Sequence, residues 1–68
     1  MANKVVVVRR AYERVEYLEI VNGVHWYRDE KEQATPMSHS KGMKTALNLN
    51  REARRCGTYS MYYVEEIQ

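Results

Sequence analysis

The stretch that decides the fold is residues 14–28, RVEYLEIVNGVHWYR, in which Asn22-Gly23 separates two runs rich in apolar residues. An Asn-Gly pair in this setting is typical of a type I′ hairpin turn, because both central residues of that turn need a positive φ. We therefore predict two antiparallel strands, one over residues 14–21 and one over residues 24–28.

Before the hairpin, residues 4–9 contain four consecutive valines. Their β-branched side chains favour a strand, and an unbroken apolar run indicates burial on both faces or a central place in the sheet. After the hairpin, the charged residues 29–33 lack periodicity and predict a loop. Residues 34–39 contain the single proline, Pro36, and predict an extended linker.

The region after the linker predicts one helix over residues 41–56. Ser38 or Ser40 can cap its start, and Gly57 can end it in the left-handed conformation. Cys56 is expected to be a buried thiol at the end of this helix. The residues that recur at helical spacing, and are expected to face the sheet, are Met43, Ala46, Leu47, Asn50, Ala53 and Cys56.

Residues 58–67 predict a final strand, which completes the order β-β-β-α-β within a single domain, residues 1–68. The predicted fold class is α+β, a two-layer arrangement of one helix on a four-stranded, mainly antiparallel sheet. One helix covers only one face of such a sheet. We expect the other face to be open and to meet water, a second copy of the chain or a partner.

Length and composition exclude several classes of protein. A chain of 68 residues, 44% hydrophobic and 29% charged, is typical of one small globular domain. Its longest apolar run is far shorter than the roughly 20 residues of a membrane span and than the apolar region of a signal peptide. We therefore expect a cytoplasmic protein with no membrane partner. The lone Cys56 and the two histidines lack the paired spacing of metal ligands, and we expect neither a metal nor a cofactor.

The aromatic residues are six Tyr and one Trp, with no Phe, so every aromatic ring carries a polar atom. Tyrosine suits a half-hydrated surface, because the ring offers contact area while the hydroxyl stays solvated. We interpret the set as an interaction face; the alternative is core and edge packing with hydroxyls at the rim. The residues concerned are Tyr17, Trp26, Tyr27, Tyr59, Tyr62 and Tyr63.

Positive charge is concentrated in the predicted helix. All five basic residues after residue 33 fall between Lys41 and Arg55, and Glu52 is the one acidic residue in that range. These cations can neutralise phosphates or meet an acidic protein surface. The alternative is a solvated helix face whose last arginines compensate the helix dipole.

The sequence carries no catalytic motif. His25, His39 and Cys56 have no spacing that is typical of a nucleophile and its base, and no glycine-rich phosphate loop occurs. The aromatic pattern of an RRM is absent as well. We therefore expect that the protein is not an enzyme, and catalysis is the least favoured alternative.

A resemblance adds to this interpretation. Its residues are the run 26–29 (WYRD), the run 34–37 (ATPM), a helix containing Ala46 and Ala53, and the run 63–67 (YVEEI). Over about residues 15–67, this order resembles small accessory proteins of bacteriophages, of the host-takeover or anti-defence type, including anti-CRISPR inhibitors. The resemblance implies a protein made early in infection that acts by occlusion and has no active site. That group shares no site pattern, so no functional residue carries over.

From these features we expect a small phage-type binding protein that inhibits or redirects a host macromolecule by steric occlusion. The expected partner is a host protein or ribonucleoprotein complex, such as a defence or nucleic-acid-processing complex, in the host cytoplasm. The alternative is a nucleic-acid-binding module that uses the basic helix and the sheet tyrosines, and a homodimer through the open sheet face is a third hypothesis. The residues expected to bind the partner are Trp26, Tyr27, Tyr62, Tyr63, Arg51, Arg54 and Arg55.

Overall fold

The computed structural model describes residues 4–67 and confirms an α+β fold with one helix on an antiparallel sheet. The strands are β1 (Lys4–Ala11), β2 (Arg14–Val21), β3 (Val24–Arg28), β4 (Met37–Ser38) and β5 (Ser60–Glu66), and the helix is α1 (His39–Cys56). A 3-10 turn, Lys31–Gln33, lies within the segment predicted as a loop. The two-residue β4 is an addition to the predicted order β-β-β-α-β.

Local signals for turns and caps are confirmed. Asn22 and Gly23 both have a positive φ, at 52° and 76°, as a type I′ turn requires. Ser38 is the N-cap of α1, and its hydroxyl accepts a hydrogen bond from the Lys41 backbone N–H at 3.3 Å. Gly57 ends α1 in the left-handed conformation at φ 70°. Each of these features depends on a few neighbouring residues, which is why the sequence predicts them well.

β1 lies at the centre of the sheet, as the valine run predicts. On one edge β1 pairs with β5 over residues 5–11. On the other edge it pairs with β2 over residues 8–11 and with β4 over residues 4–5. β3 pairs with β2 on the side away from β1, so β3 and β5 are the outer strands of the sheet.

The linker between β3 and α1 fills a fork between β1 and β2. These two strands pair only beside their connecting turn, and β2 then diverges. In the gap, the Thr35 backbone N–H donates to the Leu18 carbonyl oxygen at 3.0 Å, and the Thr35 hydroxyl accepts from the Ile20 N–H at 2.7 Å. Two residues later the chain pairs with the start of β1 as β4. The linker thereby satisfies backbone groups that the fork would leave without partners.

The helix side of the sheet holds the larger part of the core. Val5 and Val7 of β1 point towards α1 and are 0% exposed. They form one buried cluster with Leu18 of β2, Met37 of β4 and Ala46 of α1. Because the four elements that contribute to this cluster meet at β1, the position of α1 depends on the valines beneath it.

The face of the sheet away from α1 is covered in part, which corrects the expectation of a fully open face. Val6 and Val8 point to this side and are only 1% and 0% exposed. They pack against Ala34 of the linker, and the partly buried rings of Tyr17 and Tyr63 lie beside them. A short irregular segment and two tyrosines thus cover this face of the sheet, as a second layer of helices would in a larger protein.

The side of α1 that faces the sheet differs from the predicted one. The buried residues of α1 are Gly42, Ala46 and Ala53. Met43 and Leu47 are 50% and 48% exposed, contrary to the prediction that they belong to the core. Cys56 is an exposed free thiol and not a buried one.

Close contact at Gly42 explains this orientation. A Cβ at position 42 would lie 2.5 Å from Val5 Cγ2 and 3.2 Å from Val64 Cγ1, so no larger side chain fits without movement. The glycine lets the backbone of α1 approach β1 and β5, and the helix turns its small residues inward to keep that approach. Met43 and Leu47 consequently lie half-exposed at the border of the helix–sheet contact, where they line a shallow cavity with residues of β5.

We predict that Gly42→Ala destabilises the protein by about 1–3 kcal/mol, as overpacking of a filled core does. The direction of the change distinguishes this contact from an ordinary helix position, because Gly→Ala at an unconstrained helix position stabilises the protein by about 0.5–1 kcal/mol. Urea unfolding followed by circular dichroism measures the effect. Val5→Ala also destabilises because Val5 is fully buried, but the double variant should lose less than the sum of the two single losses, because Val5 carries the atom that the new Cβ meets. A gain in stability from Gly42→Ala alone would contradict the observed packing.

Candidate functional site

The tyrosines predicted to bind a partner lie on both sides of the sheet. Tyr27 and Tyr62 are partly buried on the helix side, with ring centroids 6.3 Å apart. Tyr63 is partly buried on the opposite side, where its ring packs against the cluster formed by Val6 and Val8. These three rings therefore contribute to the core, and only part of each remains accessible for contact.

Tyr27 and Tyr62 belong to a polar cluster around Arg9. The Arg9 guanidinium lies 3.7 Å above the centre of the Tyr27 ring, and its Nε donates to Glu16 Oε1 at 3.1 Å. Burial raises the pKa of the Tyr27 hydroxyl, and the neighbouring Tyr62 raises it further. Burial opposes the charge on Arg9, but Glu16 and Tyr62 outweigh it and raise the pKa of Arg9. Tyr27 thus stays neutral and Arg9 stays charged, which suits a structural cation–π contact.

Trp26 and the three helix arginines lie apart from those tyrosines. Trp26 is 49% exposed on β3, and the Arg28 guanidinium carbon lies 5.4 Å from the centre of a Trp26 ring. Arg51, Arg54 and Arg55 are exposed on α1. Within residues 4–67 no hydrogen bond, ion pair or ring contact joins these arginines to Trp26 or to the predicted tyrosines. The described residues thus show no direct contact between the helix arginines and the aromatic residues of the predicted set.

The structure brings together a different set of residues at the end of the sheet beside the β1–β2 turn. Tyr12 and Tyr59 are 81% and 79% exposed, and their ring centroids are 6.2 Å apart with a tilt of 55°. They meet because Ala11 pairs with Ser60, which places the turn next to the start of β5. A cavity of about 360 Å³ opens between them. We call it the tyrosine cleft; its lining residues are Arg10, Tyr12, Thr58, Tyr59, Ser60 and Met61.

Tyr12 occupies a backbone conformation that disfavours tyrosine. It has a φ of 57°, and the other non-glycine residue with a positive φ within residues 4–67 is Asn22, whose type is common there. A left-handed conformation costs roughly 1–2 kcal/mol for a residue with a Cβ, and glycine avoids that cost. The exposed Tyr12 ring adds almost no buried area in return. A residue that breaks a local rule without a structural gain indicates a functional role.

One cation lines the cleft. Arg10 is exposed, and its pairing with Met61 places both side chains on the face of the sheet away from α1. No ion pair of Arg10 occurs in the described part of the chain. The side chains at the cleft offer two aromatic planes, hydroxyls and one unpaired cation. Tyr and Arg are the residue types that are enriched among the hot spots of protein interfaces.

The sequence gives little sign of this site. The turn Tyr12-Glu13 contains no Gly, Asn, Asp or Pro, so the usual signals for a hairpin are missing. The one available signal is the spacing, since two residues separate Ala11 from Arg14 at the ends of two strand-forming runs. Tyr59 belongs to the tyrosine set, but its neighbour Tyr12 can be identified only once the register of β1 and β5 is known.

The residues considered for other chemistry remain separate. His25 lies on β3, His39 is the first residue of α1, Cys56 is its last, and all three are exposed. Between residues 4 and 67 no three side chains of His, Cys, Asp or Glu come together in a way that could hold a metal ion. No helix in the same range has both the length and the apolar character that crossing a membrane requires.

Comparison with known proteins adds no family. The chain matches no protein-family model, no curated protein and no solved structure. A proposal about function therefore rests on the tyrosine cleft itself, on its exposed rings and on the charge around it.

We predict that Tyr12→Gly leaves the free energy of unfolding within about 1 kcal/mol of the wild-type value. Relief of the left-handed strain offsets the larger backbone entropy of glycine and the lost ring contact. Tyr63→Ala is the matched control, and we expect it to cost about 2 kcal/mol or more because its ring covers buried valines. Denaturant unfolding of both variants measures the difference. A loss above about 2 kcal/mol for Tyr12→Gly would show that Tyr12 is retained for stability.

Proposed function

We propose that the protein is a binding protein without catalytic activity, which acts by covering part of a macromolecular partner and uses the tyrosine cleft as its anchor. The observation that carries the proposal is Tyr12, an exposed ring held on a strained backbone. Strain of this kind persists where function requires the side chain. Arg10, Tyr59 and Met61 surround it with the residue types that bind well.

The composition of the cleft fits a protein interface. Tyr and Arg are enriched among the residues that carry most of the binding energy, and hot spots lie in pockets that exclude water. Tyr12 and Tyr59 supply large rings with few rotatable bonds, so ordering them on binding costs little entropy. Met61, 62% exposed, adds a flexible apolar side chain that can adapt to the partner. The cleft therefore offers much burial for a small reorganisation.

The charge near the cleft restricts the class of partner. Arg10 has no acidic partner within the described residues, so a complementary surface presents a carboxylate or a phosphate. Occlusion of such a surface on a host protein or ribonucleoprotein complex is the steric mechanism that we propose. A defence or nucleic-acid-processing complex of a bacterial host is the partner that the resemblance to phage accessory proteins implies.

A nucleic-acid-binding module is the second candidate function, and one observation favours it. Two exposed rings lie beside the unpaired Arg10, and single-stranded nucleic acids bind to platforms of stacked aromatics flanked by cations. In this form of the nucleic-acid-binding hypothesis, Tyr12 and Tyr59 bind the bases in place of the half-buried sheet tyrosines. Such binding would weaken steeply with salt, because neutralising phosphates releases counterions.

A capture experiment with matched variants tests the proposal. Tagged wild type, Tyr12→Gly and Met43→Ala are incubated with bacterial lysate, and the retained macromolecules are quantified. Met43 is 50% exposed and lies outside the cleft, so Met43→Ala serves as the control. We expect a partner that wild type and Met43→Ala retain equally and that Tyr12→Gly loses at least about tenfold.

Two outcomes would contradict the proposal. One is equal retention by wild type and Tyr12→Gly, and the other is no specific retention by any of the three proteins. Nuclease treatment of the lysate and a salt titration distinguish the two candidate functions. Retention that survives nuclease indicates a protein partner, whereas retention lost with nuclease and with rising salt indicates a nucleic acid.

A further inference from the structure

The two outer strands of the sheet differ in how their free edges are protected. The edge of β5 is blocked at its centre, because the Asn50 side-chain amide donates to the Tyr62 carbonyl oxygen at 2.9 Å and accepts from the Tyr62 N–H at 2.8 Å. α1 also packs along β5. Natural sheets protect edges in this way against pairing with other chains. The protected β5 is thus unsuited to adding a further strand.

The edge of β3 has no such protection. The two-residue turn makes Val21 and Val24 a hydrogen-bonded pair, and pairs alternate from there along the hairpin. His25 and Tyr27 therefore direct their backbone N–H and C=O groups outward, away from β2. Within residues 4–67 no hydrogen bond reaches these groups, and β2 is the element that packs substantially on β3. β3 contains no Lys, no Pro and no bulge that would discourage pairing.

The outward groups of β3 are complementary to those of a second copy of β3. If a two-fold axis passes between the Trp26 residues of the two chains, His25 of one chain pairs with Tyr27 of the other. By symmetry, Tyr27 of the first chain pairs with His25 of the second. All four N–H and C=O groups on each strand edge then find partners. Trp26 lies opposite Trp26 of the second chain, in a non-hydrogen-bonded pair whose Cα atoms approach to about 4.5 Å. Aromatic pairs at such positions stabilise antiparallel sheets.

Charge favours a second copy as the occupant. The surface around this edge is apolar, with Val21, Val24 and Trp26 exposed at 42%, 52% and 49%. Arg28 is neutralised by Glu19, whose Oε1 lies 2.7 Å from its Nε. In the two-fold register Arg28 faces Val24 of the second chain, so no like charges oppose each other. A nucleic acid or a strongly charged protein would find no complementary charge here, unlike at the tyrosine cleft.

We propose that the chain forms a homodimer by antiparallel pairing of β3 with β3 of a second copy, centred on Trp26. The contact uses the edge of the sheet and not its face. It shares no residue with the tyrosine cleft, which lies at the β1–β2 turn, so the dimer would carry two free clefts and could bind a repetitive partner with higher avidity. The proposal does not depend on what the cleft binds.

Sedimentation velocity from micromolar to millimolar concentration tests the proposal, with His25→Pro and Trp26→Lys as variants. The His25 N–H points outward, so proline at this edge position removes one donor of the dimer and leaves the β2–β3 ladder intact. Trp26→Lys places two positive charges directly opposite each other in the dimer. Met43→Lys is the matched control, because Met43 and Trp26 are exposed to the same extent, at 50% and 49%.

We expect wild type and Met43→Lys to convert from monomer to dimer over this range, since an interface of one strand pair is small and weak. Both β3 variants should weaken dimerisation by about 30-fold or more, as loss of a central anchor does. The single Trp is a second readout: its emission should shift to shorter wavelength as wild-type concentration rises. A monomer throughout, or an unchanged dimer in both folded β3 variants, would overturn the proposal; circular dichroism confirms that each variant is folded.

Discussion

The rest of the structure depends on one constraint, the burial of four consecutive valines of β1 on both faces of the sheet. A strand alternates its side chains, so such a run cannot be half-exposed without leaving two valines in water. Val5 and Val7 require cover on one side, and Val6 and Val8 require it on the other. α1 covers the first pair. A chain of 68 residues has little left for a second layer, and the linker with Ala34 and two tyrosine rings covers the second pair.

The absence of Phe follows from this thin second layer. A ring that covers a buried valine and also borders water needs an apolar body and a polar tip, which tyrosine has and phenylalanine lacks. Tyr17 and Tyr63 act in this way on one face, and Tyr27 with Tyr62 does so on the other. Tyr12 and Tyr59 are a separate group, because their rings are almost fully exposed and cover no core residue. The tyrosines therefore form two groups, one that covers the core and one that is exposed and that we propose binds a partner.

The predictable part of the fold is the part that local chemistry determines. Asn22 and Gly23 favour their turn through their own backbone preferences, and the valine run indicates a central strand because few other places accept it. The outward position of Met43 could not be predicted, since helical periodicity finds an apolar stripe but not the close approach that Gly42 permits. The gap between β1 and β2 that Thr35 fills could not be predicted either, because the hydrogen bonds of Thr35 join residues far apart in sequence.

The same distinction applies to the candidate site. Tyr59 could be singled out as one of several tyrosines, but its pairing with Tyr12 follows from the register of β1 with β5 and from a turn without turn-forming residues. The arginines predicted to act with the sheet tyrosines make no direct contact with them within residues 4–67. Contact through Tyr and Arg stays a prediction from sequence composition, and the fold determines which of these residues lie side by side.

The most direct test of the central claim is amide hydrogen exchange of Val6 and Val8, measured by NMR on the dilute protein. Tyr62 of β5 directs its backbone groups outward to Asn50, so by alternation Tyr63 and Glu65 direct theirs towards β1. Because Val8 pairs with Tyr63 and Val6 pairs with Glu65, the N–H groups of both valines point towards β5. If the doubly buried strand stabilises the whole fold, these amides exchange only through global unfolding, with an opening free energy equal to that from denaturant unfolding. The outward amides of His25 and Tyr27 should exchange orders of magnitude faster. Exchange of Val6 and Val8 at a rate close to that of His25 would contradict the account.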